Sequence, residues 1–277
     1  MIRSYYRPQT IDEALTLLAD PNARPLGGGT DLIQDTENTF DVVDLQSLGL
    51  DKIHKAGERL GIGATVKMQE LLESKHIPVA LKTALNNEKT INLRNMATVA
   101  GSLVTCTGLS SFAGVLLALD AKVYFEPDHN NINLGNYLPM RLLEKPSSPA
   151  SISVKLITSI EIPLHTNIGF ESVARSPSDK PIIFSSLCKW PSGRFRLVIG
   201  GWGAAPSVAM DGNDISGIES AARNVAHDAA DDWASAEYRR EIAPILAKRC
   251  LNQIMNQNRT SSNGKPDTSK KGSNLES

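Results

Sequence analysis

The sequence predicts a mixed α+β protein that ends in a separate antiparallel sheet with helices on one face. Up to about residue 165, short apolar runs of strand length alternate with stretches of helical periodicity. Beyond that point, three successive strand-like runs precede two helical stretches. At 277 residues the chain exceeds the usual size of a single domain, so more than one compact unit is expected.

The composition is that of a globular protein without affinity for nucleic acid or membranes. Hydrophobic residues make up 41% and charged residues 21% of the chain, which suffices for a buried core. The formal net charge of -1 provides no basic surface for nucleic acid. The sequence also lacks a signal-peptide apolar region and any apolar run of membrane-spanning length. We therefore expect no nucleic-acid partner, no membrane insertion and a cytoplasmic location.

The first predicted element is a helix over residues 11–19. Thr10 precedes it and Glu13 stands three residues later, which is the spacing of a capping box. Pro21 ends this helix, and a short strand over residues 24–26 leads directly into three consecutive glycines. A second strand is predicted over residues 42–45.

The next part of the chain continues the alternation of strands and helices. After a strand over residues 60–64, Thr65 is expected to cap a helix, and Pro78 is expected to begin the next one. Residues 92–103 mix polar and small residues and predict a second glycine-containing turn. A helical turn running into a strand is predicted over residues 115–125, and another strand over residues 152–162.

The second domain begins after about residue 165. Its predicted strands cover residues 168–173, 182–189 and 195–200, and its predicted helices cover residues 215–229 and 234–254. Residues 256–277 are rich in Asn, Ser, Lys and Gly and contain one apolar residue, Leu275. Such a segment buries too little surface to order itself, so we expect a disordered tail.

The glycines at residues 27–29 are the first candidate site. Glycines permit positive φ and let several backbone N–H groups converge on an anion such as a phosphate. The segment lacks both the GK[ST] sequence of a P-loop and the GxGxxG sequence of a dinucleotide-binding turn. Taken alone, it fits a phosphate cradle and an ordinary strand-to-helix turn equally well.

The second candidate site is the sequence TVAGSL at residues 98–103. Its small residues allow a ligand to approach the backbone. Hydroxyl groups are offered by Thr98, Ser102, Thr105 and Thr107. Taken alone, this segment favours a glycine-containing bend at the edge of a sheet.

Other sequence features predict neither catalytic residues nor metal ligands. The histidines have no HExxH spacing, and no GxSxG sequence is present. Cys106, Cys188 and Cys250 form no CxxC pair, so we expect reduced, buried thiols rather than disulfides or a metal centre on this chain. The three tryptophans either stack on a cofactor or pack in the core, and packing is the commoner role.

Several segments, in the same order, resemble the FAD-binding subunits of the xanthine dehydrogenase and carbon monoxide dehydrogenase family. Residues 6–14 and the sequence LGGGTDL at residues 26–32 resemble the start of those subunits. The sequence INLRNMATVAGSL at residues 91–103, followed by LLALDA at residues 116–121, resembles the family's IRN-AT-GGN segment and its ALLALDA continuation. Residues 200–206 and 234–240 are similar to the family's C-terminal flavoprotein domain.

The resemblance implies a specific fold and domain division. It implies a two-subdomain FAD-binding domain of the vanillyl-alcohol oxidase and MurB-like (PCMH) type over residues 1–165, with subdomains of about 1–54 and 55–165. Residues 166–255 are expected to form the C-terminal antiparallel sheet-and-helix domain.

The resemblance also implies a function. The chain is expected to carry electrons from [2Fe-2S] centres on a small partner subunit, through FAD, to an external acceptor. A molybdopterin-binding large subunit would hydroxylate the substrate, and the assembly is expected to be a dimer of heterotrimers. Cofactor contacts carry over by position to Leu26, Gly27, Gly28, Gly29, Thr30, Asp31, Thr98, Ala100, Gly101, Ser102 and Ser111.

The sequence departs from the family pattern in the second segment. Ala100-Gly101-Ser102 replaces Gly-Gly-Asn, and Ser111 stands where the family has an aspartate expected to contact FAD hydroxyls. Two alternatives therefore stay open. The chain is a structural subunit of the same complex with weakened or lost FAD binding, or it is a free-standing flavin oxidoreductase.

Overall fold

The computed structural model describes residues 1–32, 37–143, 155–176 and 179–262, the last five of them by backbone only. Within these ranges the chain forms three sheets, with strand orders β1-β3-β2, β4-β5-β8-β6-β7 and β12-β11-β10-β9. The first sheet is parallel, and the other two are antiparallel throughout. The chain is thus mixed α and β, and its antiparallel character increases along the sequence as predicted.

The N-terminal unit consists of β1 (Ile2–Tyr6), α1 (Ile11–Leu18), β2 (Ala23–Leu26) and β3 (Phe40–Asp44). The predicted helix cap is confirmed, because the Thr10 side chain accepts a hydrogen bond from the Glu13 amide at 3.2 Å. A small apolar cluster that includes Ala14 and Val43 holds α1 against the sheet. The strand β1 pairs with β3 and was not predicted from the sequence.

A short 3-10 helix at Gln46–Leu48 leads into the central unit. Its strands are β4 (Ile53–Ala56), β5 (Arg59–Gly63), β6 (Lys122–Glu126), β7 (Asn130–Asn133) and β8 (Leu156–Pro163). Its helices are α2 (Met68–Glu73), α3 (Val79–Glu88), α4 (Ile91–Met96), α5 (Val99–Val104), α6 (Ser111–Ala118) and α7 (Leu134–Leu143).

Two sequence predictions for this unit were wrong. The residue that precedes α2 is Lys67 rather than Thr65, because the backbone stays extended through residue 67 to pair with Thr98. Residues 92–103 do not form a glycine turn within a sheet edge. They belong to the short helices α4 and α5, which meet at the extended residues Ala97 and Thr98.

The C-terminal unit consists of β9 (Asn167–Val173), β10 (Ile183–Lys189), β11 (Phe195–Gly200), β12 (Ser207–Gly212), α8 (Ile218–Val225) and α9 (Ala236–Ser262). The sequence predicted three of these strands and both helices, and it missed β12.

Both faces of the C-terminal sheet are buried. Ile183 and Leu187 of β10 face α8 and α9, whereas Phe184 and Cys188 face the central core. Because the sheet is covered on both sides, β10 and β11 are buried along almost their whole length rather than on alternate residues only. α6 lies against the second face, and all of its residues are buried, as expected for a helix that is apolar all round.

α9 anchors the C-terminal unit through Arg239, whose side chain has no exposed surface. The guanidinium donates hydrogen bonds to both carboxylate oxygens of Asp231 at 2.9 Å and to the carbonyl oxygens of Ile182, Ala229 and Gly201. α9 also continues to Ser262, so the predicted disordered tail begins inside a helix. Residues 263–277 lie outside the described part of the chain. No helix in that part is long and apolar enough to span a membrane.

Candidate functional site

The first glycine segment leaves the parallel sheet at the end of β2. Leu26 is the last strand residue, and its carbonyl accepts a hydrogen bond from the Leu45 amide at 3.0 Å. Gly29 has a φ of 74°, a conformation that L side chains rarely adopt. Among the described residues, no protein acceptor takes a hydrogen bond from the amides of Gly27, Gly28 or Gly29. This turn therefore presents unused backbone donors on a half-buried surface.

The second segment is the beginning of α5. Thr98 is its N-cap, and the threonine hydroxyl accepts a hydrogen bond from the Gly101 amide at 3.2 Å. The Val99 and Ala100 amides donate to the carbonyls of Val66 and Ala64 at 2.9 and 3.1 Å. The protein itself thus satisfies the first amides of α5. The second segment therefore differs from the first, whose amides have no acceptor among the described residues.

The two segments meet directly. A Cβ atom on Gly28 would lie 2.0 Å from the Met96 carbonyl oxygen, and one on Gly27 would lie 2.6 Å from the Thr98 hydroxyl oxygen. Contacts this short are not seen for real Cβ atoms, so only glycine fits at residue 28, and at residue 27 the Thr98 side chain would have to move. The first turn therefore packs directly against the second segment, and this contact restricts the path of its backbone.

Polar side chains hold this junction together. Thr105, at the end of α5, donates its hydroxyl to the Asp31 carboxylate at 3.2 Å, and the Thr30 hydroxyl lies 3.3 Å from the same oxygen. Gln46 donates to the Gly27 carbonyl oxygen at 3.4 Å. Asp31, a predicted cofactor contact, thus ties the first turn to α5.

Lys67 reaches across the same junction. Its Nζ donates to the carbonyl oxygen of Met96 at 3.2 Å and to that of Gly27 at 3.5 Å. No sequence pattern predicts this role for Lys67, because its position beside both segments depends on the pairing of residue 67 with Thr98.

These features fit an anionic group such as the pyrophosphate of a dinucleotide. The amides of Gly27, Gly28 and Gly29 have no acceptor among the described residues, and successive backbone amides of this kind can bind an anion. Glycine at residues 27 and 28 lets the backbone of the turn contact Met96 and Thr98 closely. The buried hydroxyl of Ser102 has no hydrogen-bond partner among the described residues, so a polar group at this edge would satisfy it.

Ser111 makes no hydrogen bond to the residues of this junction in the described part of the chain. It is the first residue of α6, it has no exposed surface, and its hydroxyl lacks a hydrogen-bond partner in the described part of the chain. The neighbouring Ser110 caps α6 by accepting from the Ala113 amide at 3.1 Å. A ligand reaches Ser111 only if the surrounding groups move.

A buried carboxylate lies at the same helix end. Glu88, the last residue of α3, accepts a hydrogen bond from the Phe112 amide at 2.9 Å. The carboxyl group is surrounded by protein, although other atoms of the residue reach the surface, and this burial raises the pKa of Glu88. Nothing in the sequence marked Glu88, because its position depends on the packing of α3 against α6.

The tryptophans and cysteines have structural roles. Each of the three tryptophan rings faces an arginine guanidinium 4.8 to 5.7 Å from its centroid. All three cysteines are free and buried, as predicted. Burial raises the pKa of Cys106 to about 11. These residues add no reactive group to the glycine junction.

The loop after α5 joins the glycine junction to the C-terminal sheet. The Gly108 amide donates to the Gly203 carbonyl at 2.9 Å, and the Gly201 amide donates to the Gly108 carbonyl at 2.7 Å. A Cβ atom on Gly108 would lie 1.5 Å from the Trp202 carbonyl oxygen. Arg141 spans the same contact, because it donates to the carbonyl oxygens of Cys106 and Ala204 at 2.6 and 3.0 Å.

The structure thus places the glycine turn of a parallel N-terminal sheet against a second unit that combines an antiparallel sheet with helices, and the class of protein follows from comparison with known families. The family model described as "FAD binding domain in molybdopterin dehydrogenase" matches residues 1–165. The chain belongs to this family of oxidoreductase flavoproteins, whose cofactor is FAD.

Individual relatives agree with this assignment. The chain is 26% identical over 259 residues to the uncharacterized protein YgfM of Escherichia coli K12, covering 89% of this chain and 94% of YgfM. It is 23% identical to the glyceraldehyde dehydrogenase medium chain of Sulfolobus acidocaldarius, covering 91% and 98%. In fold it matches a chain of carbon monoxide dehydrogenase from Hydrogenophaga pseudoflava with a TM-score of 0.75 at 18% identity, covering 92% and 97%. The predicted fold class is confirmed.

Proposed function

We propose that this chain is the FAD-binding, electron-transfer subunit of a molybdopterin-dependent hydroxylase or dehydrogenase complex. The contact between Gly28 and Met96 supports the cofactor site best. Two segments chosen from the sequence as phosphate-binding candidates lie against each other at a distance that only glycine permits. A turn that binds no ligand requires neither this close contact nor backbone amides without acceptors among the described residues.

In this proposal the amides of Gly27, Gly28 and Gly29 bind the pyrophosphate of FAD. Thr98 and α5 keep those amides in place, and Asp31 fixes the far end of the turn through Thr105. FAD, when bound, supplies the one- and two-electron redox chemistry. The protein contributes binding, orientation and exclusion of water, so no acid or base of this chain is required for electron transfer.

We propose that electrons arrive from [2Fe-2S] centres of a small partner subunit and leave FAD for an external acceptor. A molybdopterin-binding large subunit would complete the assembly, as a dimer of heterotrimers. The names of two relatives support a multi-subunit setting: the "medium chain" cited above and a "dehydrogenase complex subunit alpha" from Paenarthrobacter nicotinovorans. Within this chain, we propose that the flavin lies between residues 1–54 and 55–165, and that residues 166–255 form a separate domain.

Flavin content of the purified full-length chain tests the cofactor proposal. We expect one FAD per chain after reconstitution, detected by its visible absorbance bands and by release on denaturation. Affinity purification from the native host, followed by molybdenum, iron and flavin analysis, tests the partners. A colourless protein that takes up no added FAD would refute the cofactor proposal. Purification without molybdenum or iron–sulfur subunits would refute the proposed complex.

One observation favours the alternative of a structural subunit with weak flavin binding. The first amides of α5 are satisfied within the protein, and Ser111 is buried, so two of the expected contact regions offer little to a ligand. The two functions differ in one outcome. A structural subunit co-purifies with its partners but contains no flavin, whereas the electron-transfer subunit contains both.

A further inference from the structure

Lys67 holds a cation at the junction of the two glycine segments. Its backbone is fixed there, because residue 67 pairs with Thr98 and its amide donates to the Glu70 carboxylate at 3.1 Å. Its Nζ donates to the carbonyl oxygens of Met96 and Gly27. An ammonium group has three donors, so one remains for another acceptor.

The ammonium group of Lys67 makes no ion pair with the residues that the structure describes. The described residues place no carboxylate oxygen within 4.0 Å of its Nζ. The nearby Arg94 is engaged elsewhere, since it donates to the Gln69 side chain at 2.9 Å and to the Lys89 carbonyl at 2.6 Å. A half-buried cation held by two carbonyl oxygens is better satisfied by an anion at the same place.

We infer that Lys67 is a binding residue for the pyrophosphate, supplying the positive charge that the glycine amides lack. The inference rests on the proposed function, since FAD is the anion concerned. The first turn provides neutral donors, the first amides of α5 are already used, and Asp31 adds a negative charge nearby. A cation at this place would strengthen the binding of a doubly charged pyrophosphate, and Lys67 is in contact with both segments.

The same contacts allow a simpler role in which Lys67 only ties the two carbonyls together. The two roles differ in measurable ways. A pyrophosphate contact makes FAD affinity depend on salt, because added ions screen the charge. The affinity for FAD is also preserved when arginine replaces Lys67, because arginine keeps the positive charge. If Lys67 only hydrogen-bonds to the two carbonyl oxygens, its replacement lowers the stability of the cofactor-free protein and leaves the salt dependence of FAD affinity unchanged.

Titration of FAD into the full-length protein at several NaCl concentrations tests the inference, with Lys67→Gln, Lys67→Arg and the control Lys75→Gln. Lys75 is an exposed residue after α2, and its substitution makes the same change in charge. We expect Lys67→Gln to bind FAD about tenfold more weakly at low salt and to show less salt dependence. Lys67→Arg and Lys75→Gln should stay within about threefold of the wild type, because both keep the local charge.

A second measurement separates failure of this inference from failure of the proposed function. Sodium pyrophosphate, at fixed ionic strength, should raise the melting temperature of the wild type and of Lys75→Gln but not of Lys67→Gln. This result is expected even for a protein that binds no FAD, which would refute the proposed function alone. Equal stabilisation of Lys67→Gln and the wild type would overturn the inference. So would a Lys67→Gln protein that loses FAD affinity with unchanged salt dependence and a lower melting temperature.

Discussion

Adding a methyl group to Gly28 should separate the two segments of the cofactor site. The new Cβ atom would lie 2.0 Å from the Met96 carbonyl oxygen, against a practical minimum of 3.0 Å, so the backbones must move apart by at least 1.0 Å. Both partners of the clash are backbone, so no side-chain rotation relieves it. We expect the free protein to accommodate the methyl group by opening the junction, whereas in the proposed function FAD binds to the closed junction.

The cost of this overpacking is about 1–3 kcal/mol, which corresponds to FAD binding that is about 5- to 150-fold weaker. Isothermal titration with FAD measures the effect directly. Gly27→Ala should lose less affinity, because its 2.6 Å contact is with the Thr98 side chain, which can turn away. Gly212→Ala is the matched control, since a Cβ atom there meets nothing within 4 Å. Equal FAD affinity in Gly28→Ala and Gly212→Ala would refute the reasoning.

Three further predictions concern buried polar groups. Because the pKa of Glu88 is raised in the folded protein, its contribution to the stability of the wild type should fall as pH rises above about 4.5. Glu88→Gln still accepts the hydrogen bond from the Phe112 amide, so it should equal the wild type in stability at acid pH and exceed it at neutral pH. Urea unfolding of both proteins across this pH range checks the prediction. Arg239→Met should destabilise the protein by about 3–5 kcal/mol, since it strands Asp231 beside unpaired carbonyls, and a loss below about 1 kcal/mol in the same assay would contradict this. Cys106, with a pKa of about 11, should resist thiol reagents at pH 8 until the protein is denatured. Rapid labelling of Cys106 in the native protein would contradict the burial of its thiol.

The local parts of the fold were predictable from the sequence. The cap of α1 depends on Thr10 and Glu13, which are near neighbours, and β9, β10 and β11 are strand-length segments rich in apolar residues. By contrast, α5 contains Gly101 among small residues, which suggests a bend. The helix forms because Thr98 caps it and because the Val99 amide bonds to Val66, and the second of these contacts is tertiary.

The same distinction applies to the candidate site. Both glycine segments were identified from their composition and their family order, and the structure brings them together. Lys67 and Glu88 were missed, because no local pattern distinguishes them from ordinary polar residues. Their positions follow from long-range packing, such as the pairing of residue 67 with Thr98 and the contact of α3 with α6.

The contact of Gly108 with residues 201–203 restricts how this protein can diverge. Two backbone hydrogen bonds join the segments with no room for a side chain at Gly108. An insertion or a bulky substitution in either segment would break both bonds unless the other segment changed in a compensating way. The loop after α5 and the turn after β11 are therefore expected to vary together among descendants of this sequence, although about 90 residues separate them.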